Sequence, residues 1–221
     1  DADEYAVLGR FSGSITCQMR AGRMISLGGE GELVRYVLGQ ISADGRLRWL
    51  WSLSSEGSLW DLALTHLDDN TLLVTGIYSN AVKVCRGDGT ILGLPCPGQD
   101  GVLYVRDSVF AIKVSSTGAM IWARPVAGPL NMTTTDLTAF VDVAPHAGGF
   151  LMTGTCGGRV SFGEDRHLKV DWLPPYLGKT GVFLAAYDVK GACVGAEIIA
   201  RIRGCTWAEI IELPKGGCVV A

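Results

Sequence analysis

The stretch Val109–Val126, VFAIKVSSTGAMIWARPV, decides how the chain is read. An alternating apolar run leads into a short polar turn ending at Gly118, and a second alternating run carries Trp122. That pattern predicts a β-hairpin. Aligned on the turn glycine, it recurs as YVLGQISADGRLRWLWSL from Tyr36 and as VFLAAYDVKGACVGAEII from Val182. Upstream of the central hairpin lies DDNTLLVTGIYSN (Asp68–Asn80). It matches DADEYAVLGRFSG (Asp1–Gly13) and HAGGFLMTGTCGG (His146–Gly158) without gaps, and PKGGCVVA (Pro214–Ala221) is the same block cut before its glycine. One step further out, WDLALTHL from Trp60 aligns with TAFVDVAP from Thr138 and TWAEIIEL from Thr206. Each of these joins the next run through about four turn residues, which predicts another hairpin.

The repeating unit is therefore four strands, with a variable insert between the second and third. Units span approximately 1–53, 57–126 and 136–200, and 206–221 is the first half of another. The inserts Ser14–Glu32, Ala81–Asp107 and Arg159–Thr180 are rich in glycine, proline and mixed polar residues. They read as long surface loops with room for short extra strands, and Gly128–Asp136 reads as an exposed connection. A four-stranded meander cannot bury two apolar faces alone. Radial stacking of such sheets gives an all-β fold of the β-propeller kind, here about three blade-equivalents with the Trp60, Thr138 and Thr206 runs innermost. Three blades do not close a ring, so the sequence reads as part of a larger protein or as a ring completed by other chains. Val37, Phe110 and Phe183 share one repeat position, and Tyr5, Leu72, Phe150 and Cys218 another; all are expected between sheets.

The strings VFAIKVSSTGAMIWARPVAG, LLVTGIYSNAV and FLMTGTCGGRVSFG are similar to the SBBP-type β-propeller repeats of bacterial secreted and surface proteins. The resemblance implies a propeller and a structural or binding role. Two positions depart from it: Gly195 stands where the third unit should carry tryptophan, and Cys156 where an aromatic should follow Gly154. Both imply looser packing there.

Composition narrows the classes. The chain is 48% hydrophobic and 19% charged, so a sizeable core is available, and its 30 glycines fall mostly at turns. Net charge is −3 with no Lys/Arg run, which speaks against a nucleic-acid surface or an anionic membrane. Apolar runs are strand-sized, so no membrane insertion is expected. The opening DADEYAVLG has neither a basic start nor an apolar signal core.

Candidate chemistry is sparse. Seven cysteines contain no CxxC, so no metal centre is read from them. Cys85 and Cys96 bracket CRGDGTILGLPC, whose glycines turn the chain back, and they are the candidate disulfide of an exported protein. Cys193 and Cys205 have similar spacing but lie along one extended strand, too far apart to bond. Asn131-Met132-Thr133 is a glycosylation sequon. Trp49 and Trp122 share a strand position and are expected to pack between sheets, whereas Trp172 and Tyr176 are the candidate exposed contact. His66, His146 and His167 read as turn or insert histidines. Asp61, Asp142, Glu209 and Glu212 lie on first strands, where paired carboxylates would suit glycoside cleavage, but they do not share a repeat position. Gly28–Gly31 lacks the Lys-Ser/Thr of a phosphate loop. No catalytic residue, cofactor or metal is assigned. The expected function is a non-catalytic extracellular or cell-surface scaffold that binds protein or glycan through its inserts. The alternatives are a glycan-directed propeller enzyme and a subunit of a larger assembly.

Overall fold

The computed structural model describes residues 4–19, 22, 24–28, 35–86, 90–94, 108–129, 138–156, 158–163, 166–169, 179–203, 208–213 and 218–220. In chain order the strands are β1 (Glu4–Phe11), β2 (Ser14–Gln18), β3 (Met24–Gly28), β4 (Arg35–Ser42), β5 (Leu47–Ser55), β6 (Leu59–His66), β7 (Thr71–Tyr78), β8 (Val82–Arg86) and β9 (Ile91–Leu94). There follow β10 (Ser108–Ser115), β11 (Met120–Pro129), β12 (Thr138–His146), β13 (Gly149–Cys156), β14 (Arg159–Ser161), β15 (His167–Lys169), β16 (Lys179–Tyr187), β17 (Cys193–Arg203), β18 (Ile210–Glu212) and β19 (Cys218–Val220). No helix occurs among the described residues, and every paired strand in these sheets is antiparallel.

The repeating hairpins are β4–β5, β10–β11 and β16–β17. Their turns superimpose because the same chemistry recurs every 73 residues. Gly45, Gly118 and Gly191 have φ of 77°, 78° and 73°, a left-handed conformation that costs glycine nothing. Each glycine amide donates to the carbonyl three residues back, at Ser42, Ser115 and Asp188. Those three residues carry the side-chain oxygens that brace the turn. Ser115 Oγ accepts from the Ala119 amide, and Asp188 Oδ1 from the amides of Lys190 and Ala192.

The predicted meanders are present as β6–β7–β10–β11 and β12–β13–β16–β17, preceded by the three strands β1–β4–β5 and followed by the pair β18–β19. Phe110 stands opposite Gly76, Phe183 opposite Gly154 and Val37 opposite Gly9. A Cβ on Gly76 would come within 2.8 Å of the Phe110 ring. The recurring glycine thus clears the surface on which its cross-strand neighbour lies.

The sheets stack face to face. Leu38, Trp51 and Leu53 of the first sheet share a buried cluster with Leu72, Val74 and Phe110 of the second. Leu73, Ile77 and Ala111 of the second share another with Phe150, Met152 and Phe183 of the third. Adjacent residues such as Leu72 and Leu73 point to opposite faces, so the second sheet is covered on both sides. That is why all eight residues of β7 are buried. The pair β18–β19 covers Ala144 and Leu151 on the far face of the third sheet.

Five expectations are corrected. The inserts do hold short extra strands, a hairpin in each, but they are not free surface loops, since two of these hairpins extend the preceding sheet. Strand β8 pairs with β5 from Val82↔Ser55 to Arg86↔Trp51, and β14 pairs with β11 at Val160↔Pro129 and Ser161↔Gly128. Apolar residues on these short strands need cover, and the outer edge of the preceding sheet supplies it. Likewise Gly128 and Pro129 belong to β11 rather than to a loop, and Gly128 is buried. Next, Ala139 rather than Thr138 occupies the position of Trp60, since Ala139 faces Thr155 as Trp60 faces Ile77; the offset comes from the turn, one residue shorter between Pro145 and Phe150 than between His66 and Leu72. The β12–β13 turn holds only Ala147 and Gly148, both at positive φ, the tight hairpin geometry, whereas β6–β7 keeps four linking residues, 67–70. Finally, Tyr5 is 62% exposed, while Leu72 and Phe150 at the same position are 4% and 1% exposed. Among the described residues no sheet lies over Tyr5. The described strands do not close into a ring.

Candidate functional site

Two tryptophans hold the stack together. Trp49 leaves β5 toward the turn of the second sheet, where its Nε1 donates to Gln40 Oε1 (2.9 Å) and to the Ser116 carbonyl (3.2 Å). Trp122 leaves β11 toward the turn of the third sheet and donates to the Val189 carbonyl (3.0 Å). Each indole lies on the turn glycine of the next sheet. A Cβ on Gly118 would meet Trp49 Cγ at 2.4 Å, and one on Gly191 would meet Trp122 at 2.8 Å. The expectation that these two residues pack between sheets holds. At the third position a Cβ built on Gly195 would meet nothing within 4 Å, and Cys156, where looser packing was expected, is fully buried.

Where the first two sheets diverge beside Trp49, a cleft of about 390 Å³ opens. It is lined by Glu4, Gln40, Arg48, His66, Asn70 and Ser116, drawn from both sheets. Arg48 pairs with Glu4, and Gln40 Nε2 donates to Glu4 Oε2 at 2.8 Å while its Oε1 accepts from Trp49. His66 Nε2 stands 3.2 Å from Asn70 Oδ1. The cleft therefore offers a guanidinium, a carboxylate, an imidazole and amides in fixed positions, a donor–acceptor mixture suited to a polar, hydroxyl-bearing ligand. At the corresponding rim of the second sheet, buried Lys113 is paired with Asp69 at 2.6 Å. Burial pushes the Asp69 carboxyl up, but hydrogen bonds from Lys113 and Thr71, with the lysine charge, bring it below the ordinary carboxylate range.

A second cavity, of about 710 Å³, lies between β11 and the third sheet and is lined by Arg124, Arg166, Tyr187 and Cys193 among others. Arg124 stacks 5.4 Å from the Trp122 ring, and Tyr187 donates to the Val126 carbonyl at 2.8 Å. Burial, helped by neighbouring Cys193, holds the Tyr187 hydroxyl well above its ordinary value. Burial also raises the Cys193 thiol, against the opposing effects of a backbone hydrogen bond at Gly195 and of the Arg166 charge. Both groups stay protonated at neutral pH, so neither is a ready nucleophile.

The sequence-derived candidates are scattered. Asp142 is tied up structurally: Oδ2 accepts from the Ile210 amide at 2.9 Å, linking β12 to β18, and Oδ1 accepts from the Val143 amide. Asp61 sits in the β6 bulge at φ 49°, exposed, its carboxyl raised by partial burial. Glu209 is exposed. His167 is exposed on β15, and of the three histidines only His66 lines the cleft. Among the described residues no group of three or more His, Cys, Asp or Glu is placed to hold a metal, and no helix is long and apolar enough to cross a membrane. Cys85 is a free thiol at the end of β8; its expected partner Cys96 lies outside the described residues, as do Asn131, Trp172 and Tyr176. No family model, curated protein or solved structure matches the chain.

Proposed function

We propose that the chain is a run of propeller-type blades acting as a non-catalytic scaffold, extracellular or on a cell surface, that presents the cleft beside Trp49 to a glycan or to a polar protein segment. The observation that carries this reading is the use made of the inserts. Their apolar residues are spent on joining sheets, as Val82 and Val84 do against the first sheet and Val160 against the second. Outward, the frame carries a polar cleft in which Glu4, Gln40, Arg48, His66 and Asn70 are already positioned. Positioned polar groups on a rigid frame favour binding, because little ordering is left for the ligand to impose. The resemblance to SBBP-type repeats supports the same reading.

The test pairs a glycan array with chromogenic glycosides. The scaffold reading expects retention without turnover, weakened about tenfold or more by Arg48→Ala, the loss of a charged hydrogen-bonding group. Turnover abolished by Asp142→Asn would instead establish the enzymatic alternative. The extracellular assignment is tested separately by peptide mapping without reduction. A Cys85–Cys96 link is expected in exported protein, and full alkylation of both thiols removes that support.

A further inference from the structure

The two internal joints follow one plan, and at one place they put opposite chemistry into it. At the first joint an indole, a leucine and a methionine meet between the sheets. Trp51 on β5 is 2% exposed, and Leu92 of the insert hairpin and Met120 of the next sheet pack against the same buried cluster. Strand pairing identifies their counterparts at the second joint. Trp51 faces Leu38 as Arg124 faces Ala111. Leu92 faces Val84, next to the Lys83↔Gly93 pair. Arg166 stands across from Phe162, next to the Ser161↔His167 pair, and its carbonyl accepts from the Phe162 amide. Met120 and Cys193 each follow their turn glycine by two residues, opposite Val114 and Tyr187. Three apolar side chains of the first joint are thus replaced at the second by two guanidiniums and a thiol.

A joint that had only to hold two sheets together gains nothing from that exchange. Its result is the cavity of about 710 Å³ between β11 and the third sheet. Both guanidiniums line it, and among the described residues no carboxylate does. Nor does either arginine form an ion pair with a described carboxylate. Two like charges on one wall gain from a shared counter-ion.

The rest of the cavity is suited to hold one. Half-buried Arg124 is steadied by the Trp122 ring 5.4 Å away, and Arg166 is exposed to solvent. Phe162 and Val126 supply an apolar floor, and the Tyr187 hydroxyl is committed to the Val126 carbonyl. A mostly apolar cavity of several hundred Å³ with a few fixed polar groups suits a small ligand. Guanidinium forks match the paired oxygens of a carboxylate, sulfate or phosphate.

We propose that the cavity at the second joint binds a small organic anion, its carboxylate, sulfate or phosphate group held between Arg124 and Arg166 and its body lying against Phe162 and Pro125. The site shares no residue with the cleft beside Trp49, so failure of the glycan experiment leaves it standing.

Isothermal titration at pH 7, with chloride holding the ionic strength constant, tests it with inorganic sulfate, inorganic phosphate and benzoate. Wild type is expected to bind at least one of them at a single site in the millimolar range, and the tightest identifies the head group. Arg124→Gln and Arg166→Gln each remove one fork and are expected to weaken binding about tenfold. Arg201→Gln, an exposed arginine near the far end of β17, makes the same change in net charge and is expected to leave binding unchanged. Cys193 reports on location. Its alkylation by iodoacetamide, followed by peptide mapping, is expected to slow several-fold when the anion is bound, with Cys85 unaffected. Rebuilding the first joint with Arg124→Trp and Cys193→Met is expected to abolish binding in a chain that stays folded. Wild type that binds none of the three probes overturns the proposal, the result expected if Glu164 or Asp165, adjacent to Arg166 in the sequence, already answers its charge. Binding that survives both glutamine substitutions, or that leaves Cys193 as reactive as before, overturns it as well.

Discussion

The two internal joints solve one problem with different forces. At the first, Trp49 is buried, its N–H is shared by two acceptors, and β8 adds five backbone-paired residues to β5. At the second, Trp122 is half-exposed with one acceptor, and β14 adds only two paired residues to β11. Aromatic rings pack at both joints: Tyr78 stands edge-on to Phe110 at 5.7 Å at the first, and Trp122 lies across the second joint 6.4 Å from Phe150, which itself stacks on Tyr187 of its own sheet at 4.6 Å. The joints therefore differ in how much hydrogen bonding accompanies the rings. A repeat position thus fixes where a contact is made but not which interaction makes it.

The comparison breaks most easily at the shared core. Phe110→Ala and Phe183→Ala each remove a fully buried ring, one from each joint. Chemical denaturation is expected to show a loss of about 3–5 kcal/mol for both; less than about 1 kcal/mol would mean that the sheets do not stack as described. The tryptophans should separate the joints. Trp49→Ala is expected to cost about 3–4 kcal/mol, against about 1–2 kcal/mol for the half-exposed Trp122→Ala. Equal losses would show that the paired strands contribute nothing to the contrast.

The turn glycines sharpen it further. Gly45 and Gly118 share the same φ, so alanine pays the same backbone cost of about 1–2 kcal/mol at each. Only Gly118→Ala also collides with the base of the Trp49 side chain, and it should lose about 1–3 kcal/mol more than Gly45→Ala. The smallest effect is expected at the second-sheet rim. Asp69→Asn strands the buried Lys113 ammonium and should cost about 1–2 kcal/mol at pH 7, kept modest because Asp69 itself is half-exposed. The Asp69 carboxyl is lower in the folded chain than its ordinary 3.8. Its contribution is therefore complete above that value and disappears as pH falls through the lowered one. Wild type and variant should converge in acid, and a gap that persists at pH 2 would exclude the ion pair as its source.

What was legible in the sequence was whatever lies close along the chain. The hairpins announced themselves through Ser-x-x-Gly and Asp-x-x-Gly turns, and Trp49 and Trp122 through a common offset from those turns. The marker glycines were visible as marks, but their reason, the aromatic ring across the ladder, needed the pairing of Gly76 with Phe110. The hairpins inside the inserts were hidden because their strands are short and their partners lie in the preceding unit. Val82 pairs with Ser55 of the preceding unit as well as with Leu94 of its own hairpin. A β12–β13 turn one residue shorter than that of β6–β7 set a one-residue offset that a gapless match could not register. The cleft was invisible for a simpler reason. Glu4, Gln40, Arg48 and His66 come from four separate strands, and no spacing rule joins them.

The clasp of each insert on the preceding sheet also imposes a schedule during synthesis. Strand β5 is complete at Ser55, but its covering strand begins only at Val82; β11 ends at Pro129 and waits for Arg159. At about 5–20 residues per second, each edge stays open on the ribosome for roughly 1–6 seconds. During that window a neighbouring nascent chain offers the same kind of strand, so closely spaced ribosomes on one message favour exchange between chains, and slower initiation should raise the yield of correctly clasped protein.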